Sequence, residues 1–277
     1  MFKLKRSLED KYKKLRLFYF KKISKKFLFE VQLADHCNLN CIGCSHFSSV
    51  ADEHFLDVEN YKKDCERFAQ LANKNVYMIH LLGGEPLLHK DIAEIMDITR
   101  KNFNNCIIKV VTNGITLDRM EPGFWESCKR NNVIISITVY PININVSKIC
   151  QLSMQYGVKI ERFGTDFTME FRKDVLDPEG KQDIKDSFKK CGPLCHQLYE
   201  GKLYMCRVPA YIKYVNKTFS KNLEVKTEDY IDIYKVKNSG ALLKYLRKPI
   251  PFCRYCNKNA TSSTIWRISK KEESEWF

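Results

Sequence analysis

The sequence has no continuous apolar run of about 18 residues, the length that a membrane-spanning helix requires. Its N-terminus is basic but has no apolar stretch followed by small residues, so no secretory signal is expected. No internal repeat or low-complexity tract is present. These absences favour a cytoplasmic globular protein. With 277 residues and 44% hydrophobic content, the chain can form one large α/β domain and a smaller appendage.

Acidic residues are fewer than basic ones, and the net charge is +14. Residues 1–30 alone contain eleven Lys or Arg and three acidic residues, so most of the excess lies there and nucleic-acid binding is not expected. Leucines and aromatic residues recur at helical spacing over residues 4–26, which predicts a separate amphipathic helix within residues 1–26. Such a helix either packs on its own domain or lies on an acidic surface, at the inner face of the membrane or on a partner.

Cysteine is abundant, with twelve residues, and seven or eight of these fall into two tight groups. Without an export signal, disulfides are a poorer explanation than metal or redox chemistry.

Strand and helix patterns alternate through residues 27–163 and form five βα repeats. This alternation predicts a partial (β/α) barrel of about six parallel strands, in a domain over residues 27–180, with ligands beyond the carboxyl ends of the strands. Residues 164–190 are polar and loop-like, and a small cysteine-rich domain is expected over residues 181–277. Strands are predicted over residues 27–33, 76–82, 107–112, 133–139 and 158–163, and helices over residues 58–72, 92–103, 124–131 and 146–156.

The first cysteine group is Cys37, Cys41 and Cys44, directly after the first predicted strand. Three thiolates within eight residues are able to hold one corner of a [4Fe–4S] cluster and leave one iron open for a ligand. A zinc site completed by His36 or His46 is the alternative.

The Cys-x3-Cys-x2-Cys spacing resembles the radical S-adenosylmethionine (SAM) superfamily. That resemblance implies reductive cleavage of SAM to a 5′-deoxyadenosyl radical, which abstracts hydrogen from a substrate. It also implies an electron donor such as flavodoxin or ferredoxin. The superfamily usually has an aromatic residue before the third cysteine, where this chain has Gly43.

A second motif, Leu82-Gly83-Gly84-Glu85-Pro86, ends the second predicted strand, and a third, Thr112-Asn113-Gly114, ends the third. Both are similar to segments of the same superfamily. Glycine allows close backbone approach to a ligand, and a carboxylate is able to accept a hydrogen bond from the ammonium group of SAM. The resemblance also places a strand serine on the ribose. The residues expected to bind SAM are Gly83, Gly84, Glu85, Pro86, Asn113 and Ser136.

The second cysteine group resembles the twitch or SPASM extension of radical SAM enzymes, which binds an auxiliary [4Fe–4S] cluster. A hairpin turning at Glu200-Gly201 would pair Cys195 with Cys206, whereas the family spacing to Gly201 favours Cys191. A structural zinc ribbon is the alternative. The five candidate ligands for four positions are Cys191, Cys195, Cys206, Cys253 and Cys256.

The closing Trp-Arg-Ile-Ser segment and the residues around Cys44 resemble a subgroup found beside polysaccharide-biosynthesis enzymes. The resemblance favours oxidation or epimerisation of a sugar, sugar nucleotide or glycan. Modification of a peptide is the alternative among enzymes. A zinc-binding interaction protein that docks through its basic helix is the alternative from another class.

Overall fold

The computed structural model describes residues 26–72, 75–162, 170–191 and 195–277. The helix predicted over residues 4–26 therefore lies, apart from Lys26, outside the described residues.

An eight-stranded sheet is the centre of the described structure, and a two-stranded sheet lies beside it. The strands are, in chain order, β1 Phe27–Gln32, β2 Val76–Leu82, β3 Ile107–Thr112, β4 Val133–Ile137, β5 Ile160–Arg162, β6 Glu170–Lys173, β7 His196–Tyr199, β8 Lys202–Tyr204, β9 Tyr230–Asp232 and β10 Ser262–Ile265. The large sheet has the order β5-β4-β3-β2-β1-β7-β8-β9. Every pairing from β5 across to β7 is parallel, and the pairings of β8 with β7 and β9 are antiparallel.

Helices follow the parallel strands and cover the sheet. They are α1 Val58–Ala72, α2 Ile92–Asn102, α3 Pro122–Arg130, α4 Val146–Tyr156, α5 Ile184–Cys191, α6 Arg207–Phe219 and α7 Ser239–Tyr245. Short 3₁₀ helices lie at Pro86–Leu88, Leu117–Arg119, Thr227–Asp229, Pro251–Tyr255 and Glu273–Glu275. Within the described ranges, no helix has both the length and the apolar character that crossing a membrane needs.

The predicted α/β fold with a mostly parallel sheet is confirmed. The separate cysteine-rich domain predicted over residues 181–277 is not confirmed, because β7 pairs directly with β1 and so extends the same sheet. The hairpin predicted at Glu200-Gly201 is present, with Tyr199 opposite Lys202.

The two faces of the sheet have different side chains. Phe27 and Phe29 of β1 point toward α1, where both rings contact Phe68 at centroid distances of 5.5 and 5.0 Å. The alternate residue Glu30 lies on the opposite face and is in register with His80 of β2, and both are buried. One face therefore forms the hydrophobic core under the helices, and the other is a buried polar interior.

Residues 164–190 are not wholly loop-like, which corrects the prediction. They contain β6 and α5. The only partner of β6 in the described structure is β10, about 90 residues later, so its formation depends on a contact that local sequence patterns do not show.

Candidate metal centre

The cysteine loop, residues 37–44, follows β1 at its carboxyl end and brings three thiols together. Cys37, Cys41 and Cys44 (the loop cysteines) lie close enough that the charge on Cys44 affects both of the others. Burial is the main cause that raises the pKa of Cys37 to about 12 and that of Cys41 to about 11. A cation that replaces these thiol protons would therefore offset a large desolvation penalty.

The spacing of the thiols bears on which metal group they fit. Tetrahedral zinc with Zn–S bonds of about 2.3 Å holds its sulfurs only about 3.8 Å apart. Among the described residues, the one group of three ligand atoms within 4.8 Å of one another is Glu30, His80 and Cys195. Neither His36 nor His46 joins the loop cysteines in such a group. Three thiolates are the ligand set of a [4Fe–4S] cluster that leaves one iron open, and the loop cysteines can supply it.

The glycines of the second motif approach the cysteine loop itself. The Gly84 amide donates to the carbonyl of Ala34 at 2.7 Å, and the Glu85 amide donates to the carbonyl of His36 at 3.2 Å. A Cβ atom on Gly84 would lie 2.0 Å from the His36 carbonyl oxygen, and one on Gly83 would lie 2.5 Å from that of Ala34. The sequence predicted that these glycines let the backbone approach a ligand. In this structure they let it approach residues 34–36, which lead into Cys37.

Glu85 joins the ends of β2 and β3. Its side chain is fully buried, and Oε1 accepts hydrogen bonds from the Leu87 amide at 3.1 Å and the Thr112 hydroxyl at 2.6 Å. Oε2 accepts a third from the Asn113 amide at 2.9 Å. Burial raises the pKa of Glu85 to about 7, and these three hydrogen bonds oppose that rise. The buried Pro86 follows and begins the 3₁₀ helix. The contact of Glu85 with the ammonium group of SAM stays a prediction.

Asn113 connects the third motif to the cysteine loop. Its Nδ2 lies 2.8 Å from Oδ1 of Asn38 and 3.7 Å from Sγ of Cys37. Sγ of Cys37 also accepts from the Leu39 amide at 3.4 Å. The three motifs therefore meet at the adjoining ends of β1, β2 and β3, as the ends of parallel strands do.

Ser136 lies on β4, inside the sheet's polar face. Its hydroxyl donates to Oε1 of Glu161 at 3.0 Å, and Lys109 forms an ion pair with the same carboxylate. The ribose contact expected of Ser136 stays a prediction, because the hydroxyl has a protein partner here.

Four thiols of the second cysteine group form one cluster, the distal cysteines: Cys191, Cys206, Cys253 and Cys256. Cys191 lies at the end of α5 and Cys206 directly before α6, and the other two flank the end of the 3₁₀ helix Pro251–Tyr255. The charge on Cys191 affects each of the other three, and burial raises the pKa of all three.

Cys195 lies apart from the distal cysteines. Its strand face is shared with Gln197, which is in register with Glu30 of β1. The thiol accordingly lies beside Glu30 and His80, and burial with the nearby Glu30 charge raises its pKa. Of the two alternatives left by the sequence, the geometry groups Cys191 with the other three thiols.

The C-terminal segment, residues 262–277, covers the cysteine loop, and sequence reasoning assigned it no site residue. The Trp266 indole Nε1 donates to Sγ of Cys41 at 3.1 Å. The Gly43 amide donates to Oε2 of Glu275 at 3.3 Å, and the Trp276 indole donates to the carbonyl of Cys44 at 3.1 Å.

The one sequence feature that indicates this packing is Gly43, which stands where the superfamily usually has an aromatic residue. Its φ is +54°, and a Cβ atom there would lie 2.9 Å from the carbonyl oxygen of Glu275. The aromatic side chain usual at this position in the superfamily has no room, because the C-terminal segment lies against it.

Comparison with known proteins found one matching family model. Residues 31–151 match the sequence model of the Radical SAM superfamily. The match covers somewhat less than half of the chain, and this part of the chain is similar to that superfamily.

Several solved structures are similar to this chain at low sequence identity. Native anSMEcpe with bound AdoMet and Cp18Cys peptide is 16% identical over 62% of this chain and 50% of its own, with a TM-score of 0.39. SuiB of Streptococcus suis bound to the precursor peptide SuiA is 13% identical over 54% of this chain and 36% of its own, with a TM-score of 0.40. BtrN in complex with AdoMet and 2-DOIA is 14% identical over 91% of this chain and 97% of its own, with a TM-score of 0.48. The chain spans about half the length of anSMEcpe.

Proposed function

We propose that the chain cleaves SAM reductively and directs the resulting 5′-deoxyadenosyl radical to a carbon of its substrate. The observation that carries this proposal is the convergence of the three motifs, which are connected by the hydrogen bonds of Asn113 to Asn38, Cys37 and Glu85. The electron would come from a flavodoxin or ferredoxin.

The loop cysteines would hold the [4Fe–4S] cluster, which when bound supplies the electron that cleaves the sulfonium bond of SAM. The protein's own part is orientation. Asn113 fixes the start of the loop, and Glu85 fixes Asn113. A carboxylate has about four lone-pair sites, and Glu85 uses three of them, so Oε2 retains one for the ammonium group of SAM.

The distal cysteines would hold an auxiliary [4Fe–4S] cluster. Support comes from their mutual proximity and from the nine residues that separate Cys191 from Gly201, which match the family spacing. A second cluster can accept an electron from a substrate radical, so it favours oxidation or epimerisation over group migration.

The proposed substrate is a sugar, sugar nucleotide or glycan. The polar face of the sheet supports this proposal, because Glu30, His80, Lys109, Ser136 and Glu161 line adjoining strands there. Such a lining offers donors and acceptors to a hydroxyl-rich molecule and little apolar surface to a hydrophobic one.

Anaerobic reconstitution tests the proposal. We expect about eight irons per chain from two clusters, and 5′-deoxyadenosine when reductant and SAM are added. The combined Cys37→Ala, Cys41→Ala and Cys44→Ala variant should hold about half the iron and form no 5′-deoxyadenosine. Cys150→Ala is the control, because this thiol is exposed on α4, away from both groups. A colourless zinc protein, or undiminished 5′-deoxyadenosine in the triple variant, would contradict the proposal.

A further inference from the structure

The sulfur of Cys41 receives a hydrogen bond from a residue far away in the chain. Trp266, 225 residues later, donates its indole N–H to Sγ at 3.1 Å. The ring of Tyr140 lies 5.7 Å from that of Trp266, on the same side of the cysteine loop. Both aromatic side chains are partly buried. The indole N–H of Trp266 thus donates to a cysteine sulfur in a site where water is partly excluded.

The position of Trp266 is fixed by the backbone that directly follows it. Cys41 and Ile268 form an antiparallel bridge. The Ile42 amide donates to the carbonyl of Arg267 at 2.9 Å, and the Ser269 amide donates to that of Asn40 at 2.8 Å. These bonds hold the main chain next to Trp266 against the cysteine loop. The indole therefore has a defined place beside Cys41.

A second anchor lies a few residues later. The buried carboxylate of Glu275 accepts hydrogen bonds from the Gly43 amide at 3.3 Å, the Ser269 hydroxyl at 2.5 Å and the Lys270 amide at 2.7 Å. Trp276, 1% exposed, donates to the Cys44 carbonyl. The C-terminal segment is thus attached to the loop at two places, residues 266–269 and residues 275–276.

We infer that Trp266 is a positioning residue that raises the reduction potential of the cluster on the loop cysteines by donating a hydrogen bond to the sulfur of Cys41. A hydrogen bond to a cluster sulfur withdraws electron density, and it favours the reduced state because that state carries one more negative charge. The inference rests on the proposed function only in requiring that the loop cysteines bind a cluster.

Trp276 provides a matched control. It is also a tryptophan of the C-terminal segment whose indole N–H bonds the cysteine loop, but its acceptor is the main-chain oxygen of Cys44 and not a sulfur. Replacing either indole by phenylalanine removes one N–H and keeps an aromatic ring. Only Trp266→Phe removes a donor to a cluster ligand.

The experiment is a redox titration of the full-length, reconstituted protein, followed by EPR. In Trp266→Phe we expect the midpoint potential of the loop cluster to fall and that of the distal cluster to stay unchanged. In Trp276→Phe we expect both potentials to match those of the wild type. Iron content and 5′-deoxyadenosine formation by the wild type are measured in parallel.

Each outcome bears on a different claim. A wild type without iron on the loop cysteines contradicts the proposed function and the inference together. If Trp266→Phe binds iron normally and the midpoint potential of its loop cluster is unchanged, the inference alone is overturned. The same holds if the midpoint potentials of both clusters shift equally, or if the loop-cluster potential shifts equally in Trp266→Phe and Trp276→Phe. If Trp266→Phe does not fold, wild-type protein with ¹⁵N in its tryptophan indoles decides the question. The inference then requires a ¹⁵N coupling to the reduced loop cluster in pulsed EPR, and absence of that coupling refutes it.

Discussion

At the scale of single residues, Gly43 shows how a distant segment constrains a motif. Its amide is bonded to Glu275, its φ is left-handed, and the carbonyl of Glu275 occupies the space where a side chain would begin. The departure from the usual aromatic residue is therefore a requirement of this packing. The aromatic groups beside the loop are instead Tyr140 and Trp266, from elsewhere in the chain.

Gly43→Ala should weaken both the fold and the cluster site. A left-handed φ costs a non-glycine residue about 1 kcal/mol or more, and the new Cβ would lie 2.9 Å from a carbonyl oxygen. We expect a lower free energy of unfolding in urea and less iron after reconstitution. Gly123→Ala is the control, since Gly123 lies in the first turn of α3 with no atom within 4 Å of an added Cβ. That change should be neutral or stabilising, and an equal loss in both variants would contradict this account.

At the scale of elements, local periodicity predicted the bounds of several helices and strands. Residues 58–72, 76–82, 107–112 and 146–156 have the predicted limits. The alternating burial of β3 shows why, because each side chain belongs to one face or the other. Glu170–Lys173 was missed for the opposite reason, since its pairing partner comes from Ser262–Ile265 and leaves no local signal.

Cys191 and Cys195 are close in the chain, but we expect only Cys191 to bind the distal cluster. We expect Cys191→Ala to lose about four irons per chain, because it removes a ligand of the proposed distal cluster. Cys195→Ala should keep all of them, since Cys195 faces Glu30 and His80. Iron analysis and EPR after reconstitution measure both variants. Loss of the distal cluster in Cys195→Ala, with retention in Cys191→Ala, would reverse the assignment.

At the scale of the whole molecule, the sequence predicted the parts of the site that are close in the chain. The loop cysteines lie within eight residues, and the spacing of residues 83–86 and of Asn113 from their strands is equally local. Trp266, Glu275 and Trp276 were not predicted, because their contacts with the loop span 225 to 232 residues. Which of Cys191 and Cys195 joins the distal group also needed three-dimensional placement.

Removal of residues 1–25 should leave the core of the protein intact. The first strand begins at Phe27, and all the site contacts described above are made by residues after it. We expect the iron content and the 5′-deoxyadenosine formation to match those of the wild type. A smaller fraction of the protein should cosediment with vesicles of acidic lipid. Deletion of residues 262–277 is the comparison and should reduce iron on the loop cysteines. If the protein does not fold without residues 1–25, the basic segment instead packs against the rest of the domain.

The cover of the cysteine loop by the C-terminal segment also has a consequence for biogenesis. A chain that grows from its N-terminus makes Cys41 225 residues before Trp266. At roughly 5 to 20 residues per second, this delay is roughly 10 to 45 s. During that interval three thiols are present on the nascent chain without the backbone bridge and indole that later enclose them. Iron delivered before residue 266 is made would meet an open loop, so a ribosome that stalls between residues 44 and 266 leaves a thiol-rich product exposed to oxidation.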